Sequence, residues 1–134
     1  MPALANSAGW FMIALGGYSA AAGIGELRLP GSWDRMIREL DQSKALQFII
    51  GIVLVALGFA ILMAMPYDPA DWLSILIAVV GAGAALEGIC WLAIPDHFGR
   101  IGLGLLRHGT KAWACFALVF GVAALAIGFV RLQV

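Results

Sequence analysis

Apolar residues in this chain neither alternate nor form narrow stripes; they run on. Four stretches stand out: 9–25 (GWFMIALGGYSAAAGIG), 46–65 (LQFIIGIVLVALGFAILMAM), 72–94 (WLSILIAVVGAGAALEGICWLAI) and 112–130 (AWACFALVFGVAALAIGFV). About 18 apolar residues suffice to cross the hydrocarbon core of a bilayer as a helix. Backbone groups inside lipid must satisfy one another, which a lone helix does and a lone strand cannot. The pattern therefore predicts an all-α membrane protein with four transmembrane helices. The first stretch is the shortest and is rich in glycine. The segment before it, MPALANSAG, lacks the Lys or Arg that a cleaved signal peptide wants, so it too is read as a span.

Two of the connections carry a different pattern. In SWDRMIREL, Trp33, Met36, Ile37 and Leu40 recur at helical spacing, with Asp34, Arg35, Arg38 and Glu39 opposite and Ser32 placed as an N-cap. In HFGRIGLGLLRH, Phe98, Ile101 and Leu105 make a similar stripe, with Arg100 and Arg107 away from it. These predict short amphipathic helices lying in the membrane interface, at about 32–41 and 97–108, anchored by Trp33, Arg35, Phe98 and Arg100. The remaining connection, PYDPAD (66–71), reads as a turn, with Asp68 and Asp71 as turn and N-cap residues.

Charge then sets an orientation. The 26–45 connection holds Arg28, Arg35, Arg38 and Lys44, and the 95–111 connection holds Arg100, Arg107 and Lys111. PYDPAD and the N-terminal flank hold no Lys or Arg, and the C-terminal tail holds only Arg131. The positive-inside rule places the two basic connections in the cytoplasm and both termini with PYDPAD on the far side. Trp10 and Trp72 then fall at the outer boundary and Trp91 and Trp113 near the inner one, a depth that suits an apolar ring with a polar N–H.

Composition narrows the function classes. Of 134 residues 63% are hydrophobic and 12% charged, and the formal net charge is zero, so no basic surface is offered to nucleic acid. Cys90 and Cys115 lie within apolar runs and make no disulfide framework. Asp96, His97 and His108 share a connection without metal-ligand spacing. No phosphate loop, nucleophile motif or acid pair points to catalysis, so the expectation is a non-enzyme with no cofactor and no metal.

The halves resemble each other. LPGSWDRMIREL (29–40) aligns with IPDHFGRIGLGL (94–105), and GIVLVALGF (51–59) with GVAALAIGF (121–129). Each half, 1–66 and 67–134, would be a hairpin of span, interfacial helix and span, both in the same orientation. The features of the second half are Glu87-Gly88 eight residues before Pro95, then Phe98-Gly99-Arg100, then Gly121 and Gly128. These resemble the YjeT-like family of small two-span proteobacterial inner-membrane proteins of unknown function, here as a tandem duplication. The first half keeps Pro30, Trp33, Arg35, Gly51 and Gly58, but Ala22-Gly23 stands where Glu-Gly would be. The resemblance implies a bacterial inner membrane and no particular activity.

Small residues form stripes on three spans. Ser74, Ala78, Gly81, Ala85 and Gly88 follow one face of the third; Ala114, Ala117, Gly121, Ala124 and Gly128 follow one face of the fourth; Ala14, Gly17, Ala21 and Gly25 are the corresponding choice on the first. Such stripes let helix backbones approach, and Gly81, Ala85, Gly88, Gly121, Ala124 and Gly128 are the expected packing residues.

Glu87 interrupts this apolar pattern. It lies eight residues before Pro95, about 12 Å from the inner end at 1.5 Å per residue. An ionised acid there costs on the order of 3 kcal/mol on insertion scales, so it should face protein or be neutral. Tyr18, Ser19, Arg28 and Arg100 are its candidate partners. Glu87 is thus the candidate intramembrane proton or hydrogen-bond site. The expected role is an accessory or assembly component acting through helix packing, with the bilayer and a second copy or another membrane subunit as partners. The alternative is a small, dimeric proton-coupled transporter or channel centred on Glu87.

Overall fold

The computed structural model describes residues 2–106 and 109–133, with side chains from residue 7 onward. Among these the protein is all-helical: α1 (Pro2–Arg28), α2 (Ser32–Gln42), α3 (Lys44–Ala64), α4 (Trp72–Ala93), α5 (Pro95–Leu105) and α6 (Lys111–Gln133). Three helices, α3, α4 and α6, are long and apolar enough to cross a membrane. At 27 residues α1 is long enough, but glycine, serine, tyrosine and Glu26 dilute its apolar character, and it is not among the three. It also begins well before residue 9, at Pro2. Short helices form where amphipathic spacing placed them, α2 ending at Gln42 and α5 starting at Pro95; the end predicted for the second, 107–108, lies outside the described residues.

Local chemistry explains the boundaries. Pro95 opens α5, where a missing N–H costs nothing. Ser43 caps α3 by accepting from the Leu46 N–H at 3.2 Å, and Asp71 caps α4 by accepting from the Leu73 N–H at 3.1 Å. The turn before α4 is tied twice more: the Ser74 hydroxyl accepts from the Asp68 N–H at 2.7 Å and donates to the Pro66 carbonyl at 3.2 Å.

The chain divides into two compact units, residues 1–35 with 106–134, and residues 36–105. In the first, α1 packs antiparallel on α6. Gly9 faces Gly128, Gly16 faces Gly121, and Gly23 faces the Ala114 carbonyl. Met12 and Ala20 are buried along the same face of α1, and Ala114 and Ala124 along that of α6. In the second, α3 packs antiparallel on α4, with Gly51 against Gly88 and Gly58 against Gly81 and Ala85. There α5 folds back on α4, the Phe98 ring meeting Trp91 edge to face with centroids 4.9 Å apart. Gly99 of α5 also lies against the Asp41 carboxylate of α2.

Each close pair therefore joins one helix from residues 1–66 to one from 67–134, rather than two helices of the same half. The reason is loop length. A seven-residue connection leaves α4 beside α3, and the glycine face of α3 is then taken.

The small-residue stripe of α1 also differs from expectation. Ala14, Ala21 and Gly25 are exposed, and nothing approaches Gly17; the buried stripe is Gly9, Gly16, Ala20 and Gly23. Both sets fit helical spacing. The buried one repeats every seven residues, in step with the glycines of α6.

The solvent is legible in the packing. Glycine and alanine line the contacts, while Phe48, Val53 and Leu57 of α3 and Phe116, Val119 and Phe129 of α6 point outward. Water would penalise that surface; lipid does not, and close backbone approach then drives association. Of these helices, α3, α4 and α6 have the length and apolar character to cross a membrane.

Candidate functional site

Glu87 stands on α4 six residues before its end, about 9 Å along the axis from Ala93. Its side chain is exposed. Beside it, an atom added at Gly83 would meet nothing within 4 Å, and Leu86 and Ile89 are exposed on either flank. Glu87 is thus a polar group on an otherwise apolar outer surface of its helix pair. Of the partners expected for it, Ser19 donates instead to the Ala117 carbonyl at 2.8 Å, binding α1 to α6, and Tyr18 is exposed. Arg28 and Arg100 are exposed as well.

The packing residues sit at the helix contacts. Gly81, Ala85 and Gly88 are buried against α3, and Gly121, Ala124 and Gly128 are buried on the α6 face toward α1. Of the anchors, Arg35 and Arg100 are exposed, while Trp33 and Phe98 are half-buried. Cys90 is half-buried and Cys115 exposed, both as free thiols. His97 lies 3.9 Å from Asp96 on an exposed surface, and His108 lies outside the described residues. Among the described residues no group of three or more acidic, histidine or cysteine side chains could hold a metal.

The most enclosed acid is one the sequence pattern passed over. Glu26, in the last turn of α1, is only 1% exposed. One carboxylate oxygen accepts from the Gly31 N–H at 2.8 Å and from the Thr110 hydroxyl; the other accepts from the Trp33 N–H at 2.8 Å. Burial by itself would raise the pKa of this group. The Thr110 hydroxyl and the backbone N–H groups of Trp33, Gly31 and Ser32 outweigh it and hold the acid below its ordinary value of 4.5.

Glu26 thus caps α2 in place of Ser32, whose hydroxyl instead donates to the Leu29 carbonyl at 2.7 Å. The free N–H groups at a helix start suit an anion, and here the anion comes from the preceding helix. Gly31 adopts φ +92°, a left-handed turn that glycine takes without steric cost and that aims its N–H at Glu26. Because Thr110 precedes α6, one carboxylate ties α1, α2 and the start of α6 together. Beside it lies an open pocket of about 220 Å³, lined by Glu26, Leu27, Pro30, Thr110 and Lys111. A local signal existed: an acid five residues before a Gly-Ser-Trp helix start. The four basic residues of 26–45 mask it.

Gln47 has a related role in the other unit. Buried at 5% exposure, its side-chain amide donates to the Leu40 and Asp41 carbonyls at 3.0 and 3.1 Å, closing the C-terminus of α2.

No family model, no curated protein and no solved structure matches the chain.

Proposed function

We propose that this protein is a non-enzymatic accessory or assembly component of a bacterial inner membrane, acting through helix packing. In this reading all four long helices span the bilayer, both termini and PYDPAD face the periplasm, and α2 and α5 lie at the cytoplasmic interface. The YjeT-like resemblance, carried by Glu87-Gly88, Pro95, Phe98-Gly99-Arg100, Gly121 and Gly128, is the reason for naming that membrane.

The observation that carries the reading is Glu87. An exposed acid amid Gly83, Leu86 and Ile89 on a membrane-crossing helix is costly against lipid and useful against protein. The other enclosed polar groups, Glu26 and Gln47, hold helix ends together and are satisfied within the chain. That division, polar groups inside for structure and one acid outside on apolar surface, fits a subunit that docks.

The test is native mass spectrometry of the protein extracted gently from its own membrane, for wild type and Glu87→Gln. A stoichiometric companion, lost or weakened in Glu87→Gln while the helix content stays unchanged, supports docking. A Glu87→Gln protein that keeps its companion but loses a pH-dependent flux in vesicles overturns docking in favour of a proton-coupled transporter.

A further inference from the structure

We infer that the two halves of this chain are an interlocked pair: residues 1–66 and 67–134 each require the other to cover their glycine faces. The partner each half fits is a second pair of helices with the same seven-residue glycine spacing. In residues 1–66 those faces are Gly9, Gly16 and Gly23 on α1 and Gly51 and Gly58 on α3. In 67–134 they are Gly81 and Gly88 on α4 and Gly121 and Gly128 on α6.

The helix contacts carry this inference, together with the repeat read from the sequence. By that repeat, Gly16 and Gly23 correspond to Gly81 and Gly88, and Gly51 and Gly58 to Gly121 and Gly128. The first helix of each half packs on the second helix of the other: α1 on α6, and α4 on α3. Each half thus gives its first helix to one contact and its second to the other.

The two contacts use equivalent residues in different registers. Gly81 meets Gly58 and Gly88 meets Gly51, whereas Gly16 meets Gly121 and Gly9 meets Gly128. Their strict counterparts would be Gly16 with Gly128 and Gly23 with Gly121, so α1 and α6 are slipped by seven residues. Seven residues are close to two helical turns, which brings glycine back onto glycine. Closeness is demanding in both contacts: an atom added at Gly16 would lie 2.6 Å from the Gly121 carbonyl, and one at Gly88 would lie 2.6 Å from that of Gly51.

If each half supplies one helix to each contact, the peptide link at PYDPAD is not what holds the halves together. The test uses the full chain with Cys90→Ala and Cys115→Ala, a protease site placed in 66–71, and Gly9→Cys with Leu132→Cys as a reporter of the α1–α6 contact. The atoms nearest a side chain at Gly9 are those of the Leu132 side chain, at 3.0 and 3.1 Å, so exchanging both makes room for a disulfide. After cleavage in mild detergent, the expected result is a 1:1 complex of the two fragments. On mild oxidation it becomes a single band on a non-reducing denaturing gel. Fragments that separate under non-denaturing conditions would overturn the inference. So would fragments that stay together while the Gly9–Leu132 cysteine pair remains unlinked, because the α1–α6 exchange would then be absent.

Discussion

Substituting Gly58 by alanine measures how much of the fold rests on backbone approach. The added carbon would lie 2.4 Å from the Ala85 nitrogen, 2.5 Å from the Gly81 carbonyl oxygen and 2.7 Å from the Ala85 Cβ. Comfortable carbon contacts lie near 3.5–4.0 Å, so α3 and α4 must part by about 1 Å where they cross. Two of the three obstructing atoms are backbone and cannot rotate away. Overpacking of this kind typically costs about 1–3 kcal/mol. Against it, glycine to alanine in a helix interior gains about 0.8–1 kcal/mol of propensity. Gly83→Ala, on α4 with nothing within 4 Å, carries the gain without the clash. The propensity term cancels between the two variants, leaving Gly58→Ala less stable than Gly83→Ala by roughly 1–3 kcal/mol. Reversible unfolding in mixed micelles, followed by helix circular dichroism as a denaturing detergent is titrated in, gives the difference. Midpoints that agree within about 0.5 kcal/mol would refute the claim that glycine contact holds the pair.

Three further outcomes follow from other parts of the chain. Glu26 is held below its ordinary pKa of 4.5, so its contribution to stability is full above that value and is lost as pH falls through its lower folded pKa. An acid titration of wild type should show the loss below pH 4.5, and Glu26→Gln, already weaker by about 1–3 kcal/mol through an unmatched N–H contact, should show a flatter one. Gln47→Met, which keeps the volume but leaves the Leu40 and Asp41 carbonyls without their donor, should cost about 1–3 kcal/mol in the same unfolding assay. A single cysteine at Tyr67, an exposed position, should react with a membrane-impermeant thiol reagent from the periplasmic side of a Cys90→Ala, Cys115→Ala protein; reaction only from the cytoplasm would invert the topology.

What the sequence made legible follows from how each feature is encoded. Long apolar runs and a break at PYDPAD mark α3, α4 and α6 because length against bilayer thickness is a property of the run itself. The amphipathic α2 and α5 are legible for the same reason: their polar and apolar faces are local. Glu26 was not, since its importance comes from Thr110, 84 residues away, and from a turn at Gly31 that turns backbone N–H groups toward it. Ser32, beside that turn, has the better local credentials as a cap but spends its hydroxyl on Leu29.

Helix partnership is a third kind of information. Glycines spaced by seven fix which face of a helix is adhesive, yet they match any other helix bearing the same spacing, and they match it again after a slip of two turns. On α1, the outward-facing Ala14, Gly17, Ala21 and Gly25, of which all but Gly17 are exposed, satisfy a small-residue count as well as the buried set does, so counting cannot choose between them. Connection length can. The turn at 66–71, braced by Asp71 and Ser74, is too short to let α4 reach anything but α3, and their register is set close to that turn. With those glycine faces occupied, the faces left are those of α1 and α6, which no loop joins directly; they meet where Gly9, Gly16 and Gly23 face Gly128, Gly121 and Ala114 at once, with Glu26 and Thr110 bonded at one end. An atom added at Gly23 would lie 2.7 Å from the Ala114 carbonyl oxygen although no glycine stands opposite, so the α1–α6 seam has three close points, at Gly9, Gly16 and Gly23.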